Sequence, residues 1–293
     1  MTRGMPVNRN LIIDLGMSEG NDTAFYLAKG FDVVGVEADP VMHEGLAARF
    51  KEQIAVGRLH LLHRAATSTN GNVVSFWHNT HRQGHSSLSR RGLTADITEF
   101  KVTTINWPAL RAVAGVPYYL KIDIEGGEGA FLRSMVGDAD LPAYISAEVH
   151  SFEPVDLFLR LGYRQFRLIN QTIWHEITLP DPPREGAFVR LADFDHWSGP
   201  FGRELPGDRW FGFEEIRALH GMILALQAYG TVVSGWWDCH ARRDGASGGR
   251  PNGYPAFIRR TIDVVECPTS RSISFTSPPA ARTMSAPTTW SIV

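Results

Sequence analysis

The run Tyr119-Leu120-Lys121-Ile122-Asp123-Ile124-Glu125-Gly126-Gly127-Glu128 reads as a buried strand that ends in acid and glycine. Leu120, Ile122 and Ile124 are its apolar positions. Asp123 and Glu125 fall at its carboxyl end, where open α/β sheets bind their ligands. Gly126-Gly127 breaks the strand, and a helix is expected from about Glu128 to Met135. Such a strand needs neighbours on both sides, and the sequence supplies them. Upstream, Leu11-Ile12-Ile13 reads as a buried strand, Asn21 to Lys29 as a helix and Asp32 to Glu37 as a second strand. Pro40 then opens a helix to about Phe50, since proline suits a first helical turn, and Leu59 to His63 is a third strand. Downstream, Ala143 to Val149 and Arg164 to Ile169 are strands, with a helix near Glu153 to Leu161 between them. Short β-rich runs alternating with helical patterns are the signature of a parallel sheet with helices on its faces.

Between Thr67 and Thr104 the pattern changes. Val73 to Trp77 alternates like a half-exposed strand and Lys101 to Ile105 reads as its partner, with loop composition from His78 to Gly92. A flap over the sheet edge, about 78–100, is the expectation. Beyond Pro180 a Pro/Gly/Asp-rich insertion, about 178–210, interrupts the regularity. Phe213 to Ala228 is a helix, and Ala256 to Val265 is expected to be the terminal strand. One domain over 1–267 and a disordered Ser/Thr/Pro-rich tail over 268–293 complete this reading.

The 293 residues are 43% hydrophobic and 20% charged, which is ordinary for a globular enzyme. A formal net charge of −2 without a basic tract gives no sign of a nucleic-acid partner. No apolar run is long enough for a bilayer and no signal-peptide core precedes Leu11, so a cytoplasmic protein is expected, with no membrane partner. Two cysteines, Cys239 and Cys267, are too few for a disulfide framework. The sequence leaves oligomeric state open.

The first strand runs into Asp14-Leu15-Gly16-Met17-Ser18-Glu19-Gly20 just before a helix. Small residues there let a ligand approach the backbone. A dinucleotide loop would read G-x-G-x-x-G, but here Ser18 replaces the second glycine. Asp14 instead suits a cationic amino-acid ligand such as the methionyl part of S-adenosylmethionine. Glu37, closing the second strand about twenty residues on, is placed to accept from ribose hydroxyls. The two features together indicate a nucleoside-containing cofactor.

The K-I-D-I-E-G-x-E run, the D-L-G-x-x-x-G loop and the Val34-Gly35-Val36-Glu37-Ala38-Asp39-Pro40 run come in the order and spacing of the FkbM family of methyltransferases, which this chain resembles over Leu11 to Asn170. Ser86-Ser87-Leu88 resembles a family motif in the flap, and Ser146-Ala147-Glu148-Val149-His150 the strand that ends in acid and histidine. The resemblance implies a Rossmann-like class I methyltransferase fold. That fold is α/β, with a mostly parallel central sheet, an antiparallel last strand and helices on both faces. It further implies S-adenosylmethionine as cofactor, S-adenosylhomocysteine as product, and transfer usually to oxygen. By position, Asp14, Gly16, Ser18 and Gly20 would surround the methionyl moiety, Glu37 and Ala38 the ribose, and Arg64 and Ala65 the adenine, while Asp123 would face the sulfonium and the acceptor. Met17-Ser18 and Trp107-Pro108 depart from the family pattern.

His150 is the expected base for an acceptor hydroxyl, since an unperturbed histidine accepts a proton near pH 7. Ser86, Ser87, Glu125, Glu148 and His240 are expected on the acceptor side. No metal is expected, although Asp123, Glu148 and His150 form a possible set for Mg²⁺ or Mn²⁺, and His78, His81 and His85 are closely spaced. Arg82, Arg90 and Arg91 are candidates to hold an anionic acceptor group. Trp236-Trp237-Asp238-Cys239-His240 reads as core, with Asp238 and His240 as lesser catalytic candidates. The partner expected is a small-molecule acceptor. The rival readings are a nicotinamide-dependent oxidoreductase and a nucleoside-binding module without turnover.

Overall fold

The computed structural model describes residues 5–80, 86–90, 97–194, 199–207, 209–230 and 235–243. Its main sheet has seven strands: β1 (Val7–Leu15), β2 (Asp32–Glu37), β3 (Leu59–His63), β7 (Val116–Ile122), β8 (Tyr144–Glu148), β9 (Gln165–Asn170) and β10 (Trp237–Arg242). They lie in the order β3-β2-β1-β7-β8-β10-β9. All neighbours are parallel except β10, which runs antiparallel to both β8 and β9. The expected α/β architecture, mostly parallel with an antiparallel last strand, is what the chain adopts. Among the described residues the antiparallel strand is formed by 237–242. Ala256 to Val265, where a terminal strand was expected, lies outside the described residues, as do the expected boundary at 267 and the tail.

Side-chain alternation gives the sheet two different faces. Leu11, Ile13, Leu15, Leu120, Ile122, Ile145, Ala147, Cys239 and Ala241 point to one side. There they meet apolar residues of four helices: α4 (Trp107–Ala114), α5 (Glu128–Arg133), α6 (Glu153–Arg160) and α7 (Phe213–Ala228). The other face is buried as well, yet polar. Asp14, Lys121, Ser146, His240 and Arg167 stand in register on five adjacent strands, all 9% exposed or less. Below this row Tyr119 packs against Tyr26 of α1 (Asn21–Ala28).

The stretch after residue 178 is irregular, as expected, and covers the lower part of this polar face. Phe201 stacks on Tyr119 with ring centroids 4.9 Å apart. Tyr118 donates to Glu185 at 2.6 Å, and Lys29, just past α1, pairs with buried Glu204 at 2.7 Å. The anchors of this segment thus lie where α1 ends and β7 begins, opposite the strand tips that carry Asp123 and Glu148.

Local chemistry explains the boundaries. Asp39 caps α2 (Pro40–Arg49) by accepting from the amides of Val41 and Met42, with Pro40 in the first turn. Asn106 caps α4 in the same way, so Trp107-Pro108 opens a helix, and Trp107 is fully buried. The expected strand pair of the flap also forms. β5 (Val73–Asn79) runs antiparallel to β6 (Ile97–Ile105), and β4 (Ala65–Ala66) joins β6 in parallel. No helix among the described residues is long and apolar enough to cross a membrane.

Candidate active site

The tips of β1, β2 and β7 are tied together by backbone bonds. Gly16 N–H donates to Val36 O at 2.9 Å, and Asp123 N–H to Leu15 O at 2.9 Å. Gly16 lies so close to β7 that a Cβ on it would sit 1.6 Å from the Asp123 carbonyl oxygen. Gly16, Ser18 and Gly20 all have positive φ, the left-handed conformation that lets the loop turn within five residues. Ser18 adopts this at φ 50°, so the substituted position keeps the glycine-like turn. Met17 is accommodated by Gly35 on β2, where a Cβ would meet the methionine sulfur at 2.2 Å. The departure from the family pattern is therefore compensated within the sheet.

Glu37 is 6% exposed and accepts from Ser18 N–H at 3.0 Å and Asp39 N–H at 2.9 Å. Burial pushes its carboxyl up to about 7, against the lowering effect of those amides. Ala38 accepts a hydrogen bond from His63 through its carbonyl, Arg64 is exposed, and Ala65 is buried at the start of β4. These residues border the same loop as Glu37.

Asp14 is fully buried. Thr23 donates to its Oδ2 at 2.6 Å, and its Oδ1 has no hydrogen-bond partner among the described residues. Burial raises its carboxyl to about 6, partly offset by Lys121. Lys121 is the centre of this cluster, 2.9 Å from Asp22, 3.2 Å from Asp123 and 4.0 Å from Asp14. Burial alone would lower its ammonium, but the three carboxylates together hold it well above its usual value. Lys121 and Asp22 were not read as site residues from the sequence. Their roles depend on strand register and helix placement, which no local motif reveals.

Beyond the tip of β7, Glu125 has φ 53°, held by Glu128, whose carboxylate accepts from the amides of Ile124 and Gly126 at 3.1 Å each. Burial, then Asp123 and Glu148, raise the Glu125 carboxyl to about 8. His150 Nε2 lies 3.0 Å from Glu148. That bond raises the imidazole to about 9, so His150 carries a proton at neutral pH in this arrangement. Glu125, Glu148 and His150 each present a ligand atom within 4.8 Å of the others. Asp123 instead turns towards Lys121, and Glu125, not Asp123, is the residue that meets Glu148 and His150.

Described residues of the flap reach this end. Ser87 donates to the Glu125 carbonyl at 3.0 Å, Ser86 accepts from Asn79 N–H at 3.1 Å, and His78 reaches Asp39 at 2.5 Å. Ser86 and Ser87 thus lie at the site, whereas His78 is tied to the α2 cap. Arg90 stacks on Trp77 at 5.3 Å. His81, His85, Arg82 and Arg91 lie outside the described residues. His240 sits one row below the tips, 4% exposed and stacked on Tyr119, with Nε2 unpartnered among the described residues. Burial, then Arg167, lowers its imidazole to about 3.

A methyl donor with a nucleoside, an ammonium and a sulfonium fits these residues. The tight Gly16–Gly20 turn lies at the strand tips, Glu37 offers a carboxylate to its Ser18 amide, and Asp14, Asp22 and Asp123 outnumber Lys121. The family described as methyltransferase FkbM domain matches residues 14–171, somewhat more than half of the chain. No curated protein matches. Among solved structures, a methyltransferase FkbM from Methylobacillus flagellatus is 16% identical, with 55% of this chain and 40% of that one covered and a TM-score of 0.36. The present chain therefore spans well under half of that protein. A precorrin-6y C5,15-methyltransferase from Geobacter metallireducens is 9% identical, with 82% of each chain covered and a TM-score of 0.37. A SAM-dependent O-methyltransferase from Thermotoga maritima is 8% identical, covering 84% of this chain and 62% of that one at a TM-score of 0.35.

Proposed function

The chain belongs to the FkbM methyltransferase family, and from that premise we propose that it uses S-adenosylmethionine to methylate a hydroxyl oxygen on a small polar metabolite. A sugar, a polyketide or another natural product is the acceptor class, and the setting is the cytoplasm, without nucleic-acid or membrane partners. The observation that carries this reading is the convergence of the Gly16–Gly20 turn, the Glu37 carboxylate and Asp123 at three adjoining strand tips. S-adenosylmethionine, when bound, supplies an electrophilic methyl group on a sulfonium. Gly16, Ser18 and Gly20 would border its methionyl part, Glu37 and Ala38 the ribose, and Arg64 and Ala65 the adenine. Asp123, with its side chain 38% exposed, offers negative charge beside the sulfonium. Ser86, Ser87, Glu125, Glu148 and His150 surround the acceptor. His150 can take the acceptor's proton only after it has released the one it shares with Glu148. His240, expected on the acceptor side, is 4% exposed within the polar row, below the strand tips.

The direct test is methyl transfer from S-adenosylmethionine across a panel of hydroxylated metabolites, together with thermal shifts. Stabilisation by S-adenosylhomocysteine but not by NADPH is expected, and the reverse would favour an oxidoreductase. Cofactor binding without transfer to any acceptor would favour a binding module. Asp123→Asn is expected to lower kcat/KM about 10²–10³-fold. It should barely change Tm, because Asp14 and Asp22 still neutralise Lys121. Wild-type turnover in that variant would remove Asp123 from the chemistry.

Glu37 makes cofactor binding pH-dependent. Its carboxyl is raised on folding, so its contribution to stability is present below about 4.5 and is lost as pH rises through about 7. Ribose hydroxyls donating to the carboxylate would favour the ionised form and expel the proton. S-adenosylhomocysteine should therefore bind about tenfold more tightly at pH 8 than at pH 6. Calorimetry should show the dependence flattened in Glu37→Gln, and an unchanged slope in that variant would refute the assignment.

A further inference from the structure

The acceptor end of the site holds more carboxyl groups than its own cations pair with. Lys121 is engaged by Asp14, Asp22 and Asp123, and His150 by Glu148. Glu125 then remains, turned by its left-handed backbone towards Glu148 and His150. A second buried carboxyl adjoins Glu148. Asp238 stands opposite Glu148 in the β8–β10 ladder, on the same face of the sheet, and is 8% exposed. Among the described residues no hydrogen bond or ion pair satisfies its carboxyl, and its charged neighbours are Asp123, Lys121, Glu148 and Asp22.

We propose that Glu125, Glu148 and His150 bind one divalent cation, with buried Asp238 beside Glu148 on β10, contrary to the metal-free site expected from the sequence. The spacing suits a single ion. Ligand atoms around an octahedral ion with bonds of about 2.1–2.3 Å lie about 3 Å apart when adjacent and about 4.5 Å apart when opposite. The three groups here fall within 4.8 Å of one another. Two carboxylates and one imidazole favour Mn²⁺ over Mg²⁺, because imidazole is the softer ligand. A cationic acceptor would satisfy the acids as well, but it gains nothing from an imidazole in the set. The role of the ion rests on the methyl-transfer reading: an acceptor hydroxyl bound to it would lose its proton more readily, and His150, as a ligand, would give up the role of base.

The test titrates full-length protein with Mn²⁺, following the free-ion EPR signal with and without saturating S-adenosylhomocysteine. One Mn²⁺ per chain in the micromolar range is expected, weakened about tenfold or more in Glu148→Gln and in Asp238→Asn. In the wild-type protein, electron spin-echo modulation should show one coordinated imidazole nitrogen, a signature that does not depend on any variant folding. No saturable Mn²⁺ binding, or binding without that nitrogen coupling, overturns the ion site. If S-adenosylhomocysteine binds in that case, the methyl-transfer reading stands alone. If Mn²⁺ binds as expected and S-adenosylhomocysteine does not, the ion site stands and the reading of its role falls.

Discussion

Lys121→Met is expected to cost about 3–5 kcal/mol of stability, measured by urea unfolding, and to leave little folded protein at 37 °C. The size follows from what the substitution strands. Asp14 is completely buried, Asp22 lies 2.9 Å from the ammonium, and Asp123 lies 3.2 Å from it. Asp238 faces the same group from β10. Methionine matches the length of the lysine stem but leaves these carboxyls facing one another without a cation. Breaking a buried pair from one side costs far more than the pair is worth, because the remaining charge is desolvated and uncompensated. Adding Asp14→Asn and Asp22→Asn to Lys121→Met should recover much of the loss, since neighbouring groups in one network couple strongly. A single variant as stable as the wild type would show that the cluster is solvated and not a buried network.

Gly16→Ala is expected to abolish S-adenosylhomocysteine binding and to lower stability by at least about 3 kcal/mol. Two independent penalties add here. The backbone at φ 78° is left-handed, which costs an L-residue with a side chain about 1–2 kcal/mol. The new methyl would also fall 1.6 Å from the Asp123 carbonyl oxygen, a backbone atom that cannot rotate aside. Relief requires β1 and β7 to part at the tips, which would pull Asp123 away from the loop. Calorimetry and thermal melting of the variant check both effects. Unimpaired cofactor binding would mean that the turn is not the cradle described above. Gly57, also at positive φ but with open space around it, is the control: alanine there should carry only the conformational cost.

Where one face of an element is apolar, the sequence reveals it. The strands from Asp32 to Glu37 and from Leu59 to His63, and the helix from Phe213 to Ala228, emerge with the bounds read from their patterns. β10 was missed because one of its two buried faces is polar. Cys239 and Ala241 enter the apolar core, while Asp238 and His240 enter the polar row. Such a strand resembles a loop in its composition, and the β-branched run Ala256 to Val265 was the more obvious candidate. The site is divided in the same way. Gly16, Glu37 and Asp123 were legible because their chemistry depends on position along one strand. The Lys121 cluster and the meeting of Glu125 with Glu148 and His150 arise between strands, from register and from a left-handed turn at a residue that is not glycine.

The insertion of residues 237–242 between β8 and β9 bears on how this protein can be made or cut. As the chain leaves the ribosome, the sheet holds an open slot until its filler, some seventy residues downstream of β9, has been synthesised. An excised fragment ending at 171, where the family match stops, would keep the glycine cradle but expose two unzipped strand edges. Such a fragment would be prone to self-association, and a separately supplied peptide spanning 235–243 is the natural piece to plug it.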